Sequence, residues 1–354
     1  MLTLVVLNYF FLLPLLLNIF CIWRVFFNFN FKYAYIKNNW DNVASLKTGL
    51  SNINIFFFFR FILILNFFYF IYLYTFNSYS LVFWWSHFKL NNYFIYLHLL
   101  VMLFCLYFIY ISSFFLKQQN IYNIDYIFSI SNIVILLPIL FYTNSLFTFF
   151  FFIELTSFFI LYKFITTKIN FNKKYYFNKN FSIFSKNFIN LLFFQYWASF
   201  FSSVLLVYTL CIVHYLFNSS DWIFINFFTN INNSNNYLNS LLFIILLSGL
   251  LIKLGIAPVQ LYKIEIYKSL PFITIFFYTV FYFLFYFLFF ILFFNFYLSA
   301  YINISWVFII FILIFGCLYS FSILFDTYLF KAFLAYSTIL NSILFILYTL
   351  VLLF

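Results

Sequence analysis

Residues 246–260 read LLSGLLIKLGIAPVQ, and this stretch decides the fold. Lys253 stands inside an apolar run, with Gly255 and Pro258 close behind it. An ammonium at the bilayer centre costs about 2.5–3.5 kcal/mol on insertion scales, so such a group faces protein or water. Proline removes a helical hydrogen bond and clashes with the carbonyl four residues back. The run is therefore expected to break between Leu254 and Pro258, beside the charge. Broken helices at a buried charge are a transporter device, because freed carbonyls hold ions or water. The plainer alternative is a proline that merely ends a helix.

The whole chain supports a membrane setting. Its 354 residues are 68% hydrophobic, 30% aromatic and 6% charged, against the roughly 25% charged residues of a soluble domain. With 17 basic and 6 acidic residues it cannot cover a globular surface, which excludes a soluble enzyme, a nucleic-acid-binding protein and a disordered chain. Phe 68 and Tyr 32 against Gly 4 and Pro 4 point to a gene under strong A+T pressure, for which an organellar genome is the expected setting. With so few glycines, close small-residue crossings cannot be general. The helices are expected to pack through interlocking aromatic rings.

Ten apolar segments are long enough to span or nearly so: 2–28, 53–75, 92–116, 126–142, 146–167, 188–217, 239–258, 271–295, 302–325 and 331–354. They are continuous rather than alternating, which argues for helices over strands. The expected fold is an all-α polytopic membrane protein, a single transmembrane domain over 1–354. Two polar stretches interrupt it: Lys168–Asn187, with five lysines, and Asn218–Asn239. Placing the loops after spans 1, 3, 5, 7 and 9 on one side puts nearly all bases there, Lys163, Lys263, Lys268 and Lys331 included. Only Lys89 falls opposite, and Arg60 and Lys253 lie inside spans. The positive-inside rule then sends both termini to the other side. The surplus positive charge is read as topology and anionic-lipid contact, not nucleic-acid binding.

A second buried charge matches Lys253. Glu154 lies in TFFFFIELTSFF, residues 148–159, with Ser157 one turn on. Spans 5 and 7 run parallel, and at 1.5 Å per residue both charges reach the middle of the membrane. They are expected to meet. Such a pair titrates as one coupled unit and passes a proton when its spacing or hydration changes. A purely structural pair joining two helices is the competing reading. Arg60, about two turns from the basic end of span 2, either snorkels or joins the polar interior. His98 and His214 read as interfacial, and the four single cysteines as buried apolar groups without metal-ligand spacing.

Three stretches resemble the NADH–ubiquinone oxidoreductase chain 2 family, antiporter-like membrane subunits of respiratory complex I. Thr143-Asn-Ser-Leu-Phe-Thr148 and Ile153-Glu-Leu-Thr-Ser157 resemble "SNDLLT…IELQS". Lys253-Leu-Gly-Ile-Ala-Pro258-Val-Gln260-Leu-Tyr262, with Glu265, Tyr267 and Pro271, follows "KxxxxPFHxW…DxYEGxP". Lys331-Ala-Phe-Leu-Ala-Tyr336-Ser-Thr-Ile resembles "KRLLAYSSI". The resemblance implies a first antiporter-like half around spans 4–8, a partial second half, and proton coupling through Glu154 and Lys253. Ser157, Arg60, Pro258, Gln260, Tyr267 and Lys331 are its accessory candidates. It also implies a mitochondrially encoded, multi-pass subunit of the mitochondrial inner membrane, with both termini facing the intermembrane space. No redox cofactor is expected on this chain; NADH, FMN, iron–sulfur clusters and ubiquinone fall to other subunits. Expected partners are the complex I membrane-arm chains 4 and 4L, and lipids such as cardiolipin.

The departures are specific. Asn190 stands where the family has its helix-six lysine, Phe283 where it has the helix-eight lysine, and Gln260 and Asn341 replace histidines. The chain ends after span ten where the family continues, so the expectation is either that a separate polypeptide supplies the missing C-terminal helices or that they are lost. The expectation is thus a proton-translocation subunit of complex I, with a structural, non-pumping subunit of the same complex as the alternative. A stand-alone antiporter is the most distant reading.

Overall fold

A computed structural model describes residues 81–83, 87–90, 139–172, 181–225, 236–256, 259–279 and 305–352, with scattered positions from 96 to 137. The chain forms two compact units, one of Met1–Ser78 and Ile95–Leu136, the other of Tyr79–Phe94 and Leu137–Phe354. In the first, the described positions, such as Tyr96, Leu103 and Ile133, are helical. Most of spans 1–3 lie outside the described residues, as do Arg60, Pro258 and Phe283, so the ten-span count is not decided there.

The second unit contains, in order, β1 (Leu81–Phe83), β2 (Phe88–Leu90), a 3-10 turn (Leu140–Tyr142), α1 (Leu146–Asn172), α2 (Phe181–Phe217), α3 (Asn236–Leu254), α4 (Leu261–Ser269), α5 (Phe272–Phe277), α6 (Ser305–Phe325) and α7 (Phe330–Leu352). Among the described residues, three stretches are long and apolar enough to cross a membrane: Leu146–Ile165, Ile189–Phe217 and Phe330–Tyr348. Ser240–Leu254 and Ile309–Phe325 are shorter apolar helices.

Two features depart from the sequence reading. An antiparallel hairpin, with Leu81 opposite Leu90 and Phe83 opposite Phe88, stands where no strand was expected. It is a few residues of β-branched and aromatic chain outside any span. Phe88 makes a further bridge to Thr143, and Ser145 one to Asp221, which ties the hairpin and the Asp221 turn to the start of α1. The basic stretch 168–187 is also more helical than expected, since α1 continues to Asn172 and α2 begins at Phe181.

The helix ends follow local chemistry. Ser145 caps α1: its Oγ accepts from the Thr148 amide at 3.3 Å and lies 3.1 Å from His87 Nδ1. Asn218, at φ 51°, stops α2, its amide reaching the His214 carbonyl at 3.0 Å; asparagine tolerates this left-handed geometry. Pro271 precedes α5, where its carbonyl accepts from the amides of Thr274 and Ile275.

The core contradicts the expectation of ring-to-ring packing along its longest seam. The buried stripe of α2 is Leu191, Gln195, Ala198, Ser202, Leu206 and Thr209, spaced by three and four residues. Its rings point outward: Phe193, Tyr196, Trp197, Phe200 and Phe201 are exposed and touch one another, as in Phe193–Trp197 at 5.8 Å. This stripe faces α3, α4 and α1. A Cβ on Gly249 of α3 would lie 3.3 Å from Leu206 Cγ, so even a methyl crowds this crossing. Small side chains let membrane helices approach closely where lipid gives no hydrophobic drive. Rings do interlock at the hairpin end of α1, where Phe149 meets Trp222 edge-on at 6.1 Å and Phe88 meets Phe152 at 5.9 Å. α7 packs on α6 and α4.

Candidate functional site

Glu154 projects from α1 about 12 Å along the helix from Leu146, at 1.5 Å per residue. Lys253 is the penultimate residue of α3. The Lys253 ammonium donates to Glu154 Oε1, so the two charges make direct contact. The lysine side chain is 2% exposed and that of Glu154 31%, so the amine is enclosed while the carboxylate reaches an open side. The Ser157 hydroxyl donates to the Glu154 carbonyl at 2.8 Å and lies 3.4 Å from Oε2. The Ser157 hydroxyl thus sits one helical turn from the acid, bonded to its carbonyl and close to its free oxygen.

The break behind Lys253 has a defined geometry. Gly255 has φ +66°. Its amide donates to the Ile252 carbonyl at 3.0 Å, and the Ile256 amide donates to the Leu251 carbonyl at 3.1 Å. These two bonds and the left-handed residue make a Schellman ending. The helix therefore stops at Leu254 because Gly255 turns it. The Tyr262 hydroxyl, from the first turn of α4, lies 2.6 Å from the Ile252 carbonyl oxygen and 3.0 Å from that of Lys253 itself.

The accessory candidates divide. Gln260 is buried at the junction before α4, and its amide oxygen has no hydrogen-bond partner among the described residues. Gln195 on α2 holds a second such oxygen. Tyr267 is fully buried and accepts from the Thr338 hydroxyl at 3.2 Å, joining α4 to α7. Lys331 is half-buried; its ammonium donates to the Leu270 carbonyl at 2.7 Å, at the end of α4, and lies 5.2 Å from the Phe272 ring centroid. A cation there complements the helix C-terminus, which makes Lys331 a tie between α7 and α4.

Two lysines assigned to loops by the sequence are buried instead. Lys163 is 1% exposed, and its Nζ lies 3.1 Å from the centroid of the Phe277 ring at the end of α5. Lys263 is 0% exposed because the segment after the break re-forms as α4, packed against α2 and α7. Neither was legible as interior: Lys163 sits at the edge of an apolar run, and Lys263 follows a break whose continuation as a helix carries no sequence signal. His87, linked to Ser145 and so to the start of α1, was also missed. Among the described residues, no group of three or more His, Cys, Asp or Glu side chains is placed to hold a metal.

Chemically, the site is an acid–base pair at a helix discontinuity, its lysine buried and its carboxylate partly exposed. Its charges offset each other's desolvation, and removing one strands the other.

No protein-family model matches the chain. A stretch of 80 residues is 39% identical to an uncharacterized mitochondrial protein, ORF4, of Paramecium tetraurelia, covering 21% of this chain and 51% of that protein. The fold is similar to a chain of respiratory complex I from Thermus thermophilus, solved with bound aureothin, at a TM-score of 0.58 and 12% identity. That likeness covers 80% of this chain and 56% of the other, so this chain spans about half the length of the proteins it matches. The sequence is thus carried on a mostly helical fold, with membrane-capable helices, that is shared with a chain of a respiratory complex I.

Proposed function

We propose that this chain is a membrane-arm subunit of mitochondrial NADH:ubiquinone oxidoreductase, similar to chain 2, and that Glu154 and Lys253 form its proton-transfer pair. The observation that carries the reading is the contact of an enclosed lysine with a carboxylate at the end of a broken helix. The likeness to a complex I chain supports the setting, and the ORF4 match supports a mitochondrial one.

In this reading the closed pair holds charge on both groups. Widening the contact withdraws that mutual support, and the proton on the Lys253 amine passes to a neighbouring water or polar group. Gln260 and Gln195, with buried acceptor oxygens, are suited to hold such waters. The chain binds no redox group itself; NADH, FMN, iron–sulfur clusters and ubiquinone belong to other subunits. Its partners are other membrane-arm chains, with chains 4 and 4L as expected neighbours, and cardiolipin-like lipids.

A structural, non-pumping role in the same complex is the second reading. It is favoured by Asn190 and Phe283 standing at the family's lysine positions and by the use of Lys331 as a tie to the Leu270 carbonyl. The test is purification of the native assembly with Glu154→Gln. Copurification with NADH oxidation places the chain in the complex, and lowered proton translocation in the variant selects the proton-transfer reading. Normal translocation in an intact assembly selects the structural one.

A further inference from the structure

The end of α3 is held from two directions. The Schellman bonds close the chain back on Leu251 and Ile252. From α4, the Tyr262 hydroxyl reaches the carbonyls of Ile252 and Lys253 at 2.6 and 3.0 Å. Room for that hydroxyl depends on Gly255, since a Cβ there would lie 2.9 Å from it. Tyr262 is buried, so the contact is shielded from competing solvent.

We propose that Tyr262 is a positioning residue for Lys253, its hydroxyl locking the backbone from which the ammonium reaches Glu154. The inference rests on the proton-transfer reading of that pair. Lysine has a long, flexible stem, so the placement of its ammonium depends on how firmly its own backbone is held. Residue 253 lies in the last turn of a helix, where the final carbonyls have no intrahelical partner and need another tie. Tyr262 supplies the tie through the backbone of Lys253 itself. The start of α4 and the acid–base pair therefore move together, and a displacement of α4 changes the separation of Lys253 and Glu154. Tyr262 touches neither reacting group and transfers no proton.

The test uses the native assembly, purified and reconstituted in liposomes, with Tyr262→Phe, Tyr262→Trp and Lys253→Ala made separately. Tyr262→Phe removes one oxygen; Tyr262→Trp keeps an N–H donor on a large ring. Tyr262→Phe is expected to slow proton translocation roughly three- to ten-fold, the scale of one hydrogen bond, and to displace its pH profile. Tyr262→Trp is expected to retain more of the rate and a profile closer to wild type. Wild-type rate and profile in Tyr262→Phe, or equal losses in the two variants, would overturn the inference. So would failure of both to assemble, which would make the contact a requirement of folding alone. An unchanged rate in Lys253→Ala would bring down the reading of the pair itself. A slowed Lys253→Ala beside a silent Tyr262→Phe would remove only the role of Tyr262.

Discussion

Replacing Gly255 by alanine tests the break most sharply, because two costs meet at one atom. Gly255 sits at φ +66°, and a residue with a Cβ pays about 1–2 kcal/mol to hold a left-handed conformation. The new methyl would also stand 2.9 Å from the Tyr262 hydroxyl and 3.1 Å from Lys263 Cβ and Cδ. Moving that hydroxyl away forfeits its hydrogen bond to the end of α3, about 1 kcal/mol. The sum is about 2–3 kcal/mol, or roughly 30- to 150-fold in the equilibrium between closed and opened turn. The assay is amide hydrogen exchange on the peptide spanning residues 251–262. The Ile256 amide, bonded to the Leu251 carbonyl, should lose protection by that factor in Gly255→Ala. Gly255→Asn, which tolerates the backbone geometry, should lose less, though it keeps the steric part. Unchanged exchange in Gly255→Ala would refute the argument that this glycine is what ends α3.

Gly249→Leu should force α3 away from Leu206, which a mere Cβ already meets at 3.3 Å; the overpacking costs about 1–3 kcal/mol and should appear as a lower thermal midpoint of the assembly. Lys331→Met removes the ammonium that donates to the Leu270 carbonyl, and a charged hydrogen bond of this kind is worth about 1.5–3 kcal/mol, so protease resistance of the α4–α7 contact should fall. Ser202→Phe, at a fully buried position of the α2 seam, should reduce incorporation of the chain into native complexes, whereas Phe201→Ser on the exposed side should be tolerated better.

The parts legible in sequence are those governed by a single strong cost. Charge inside an apolar run is expensive, so Glu154 and Lys253 stand out from their neighbours along the chain and are expected to meet. The break is legible too, although its place at Leu254 is set by the left-handed turn at Gly255, while Pro258 lies outside the described residues. Tertiary packing is not legible. The aromatic content suggests ring-to-ring seams, yet α2 turns its rings outward and packs through Ala198, Ser202 and Thr209. Residue size along one helical stripe decides that choice, and bulk composition hides it. Lys163 and Lys263 are misplaced for a related reason. Their burial depends on α5 bringing Phe277 over Lys163 and on α4 re-forming after the break, both settled by tertiary packing. Tyr262 gives no sign of its role because its hydroxyl acts across the break on carbonyls nine and ten residues back, which no local pattern encodes.

The central claim is that the Glu154–Lys253 pair moves protons. The most direct measurement is the number of protons translocated per NADH oxidised by the reconstituted assembly, compared between wild type and Lys253→Ala at equal incorporation of the chain. The account predicts a lower ratio or a lower coupled rate in the variant, with the chain still present in the complex. An intact assembly with the wild-type ratio and rate would contradict it and leave the pair as a structural joint between α1 and α3.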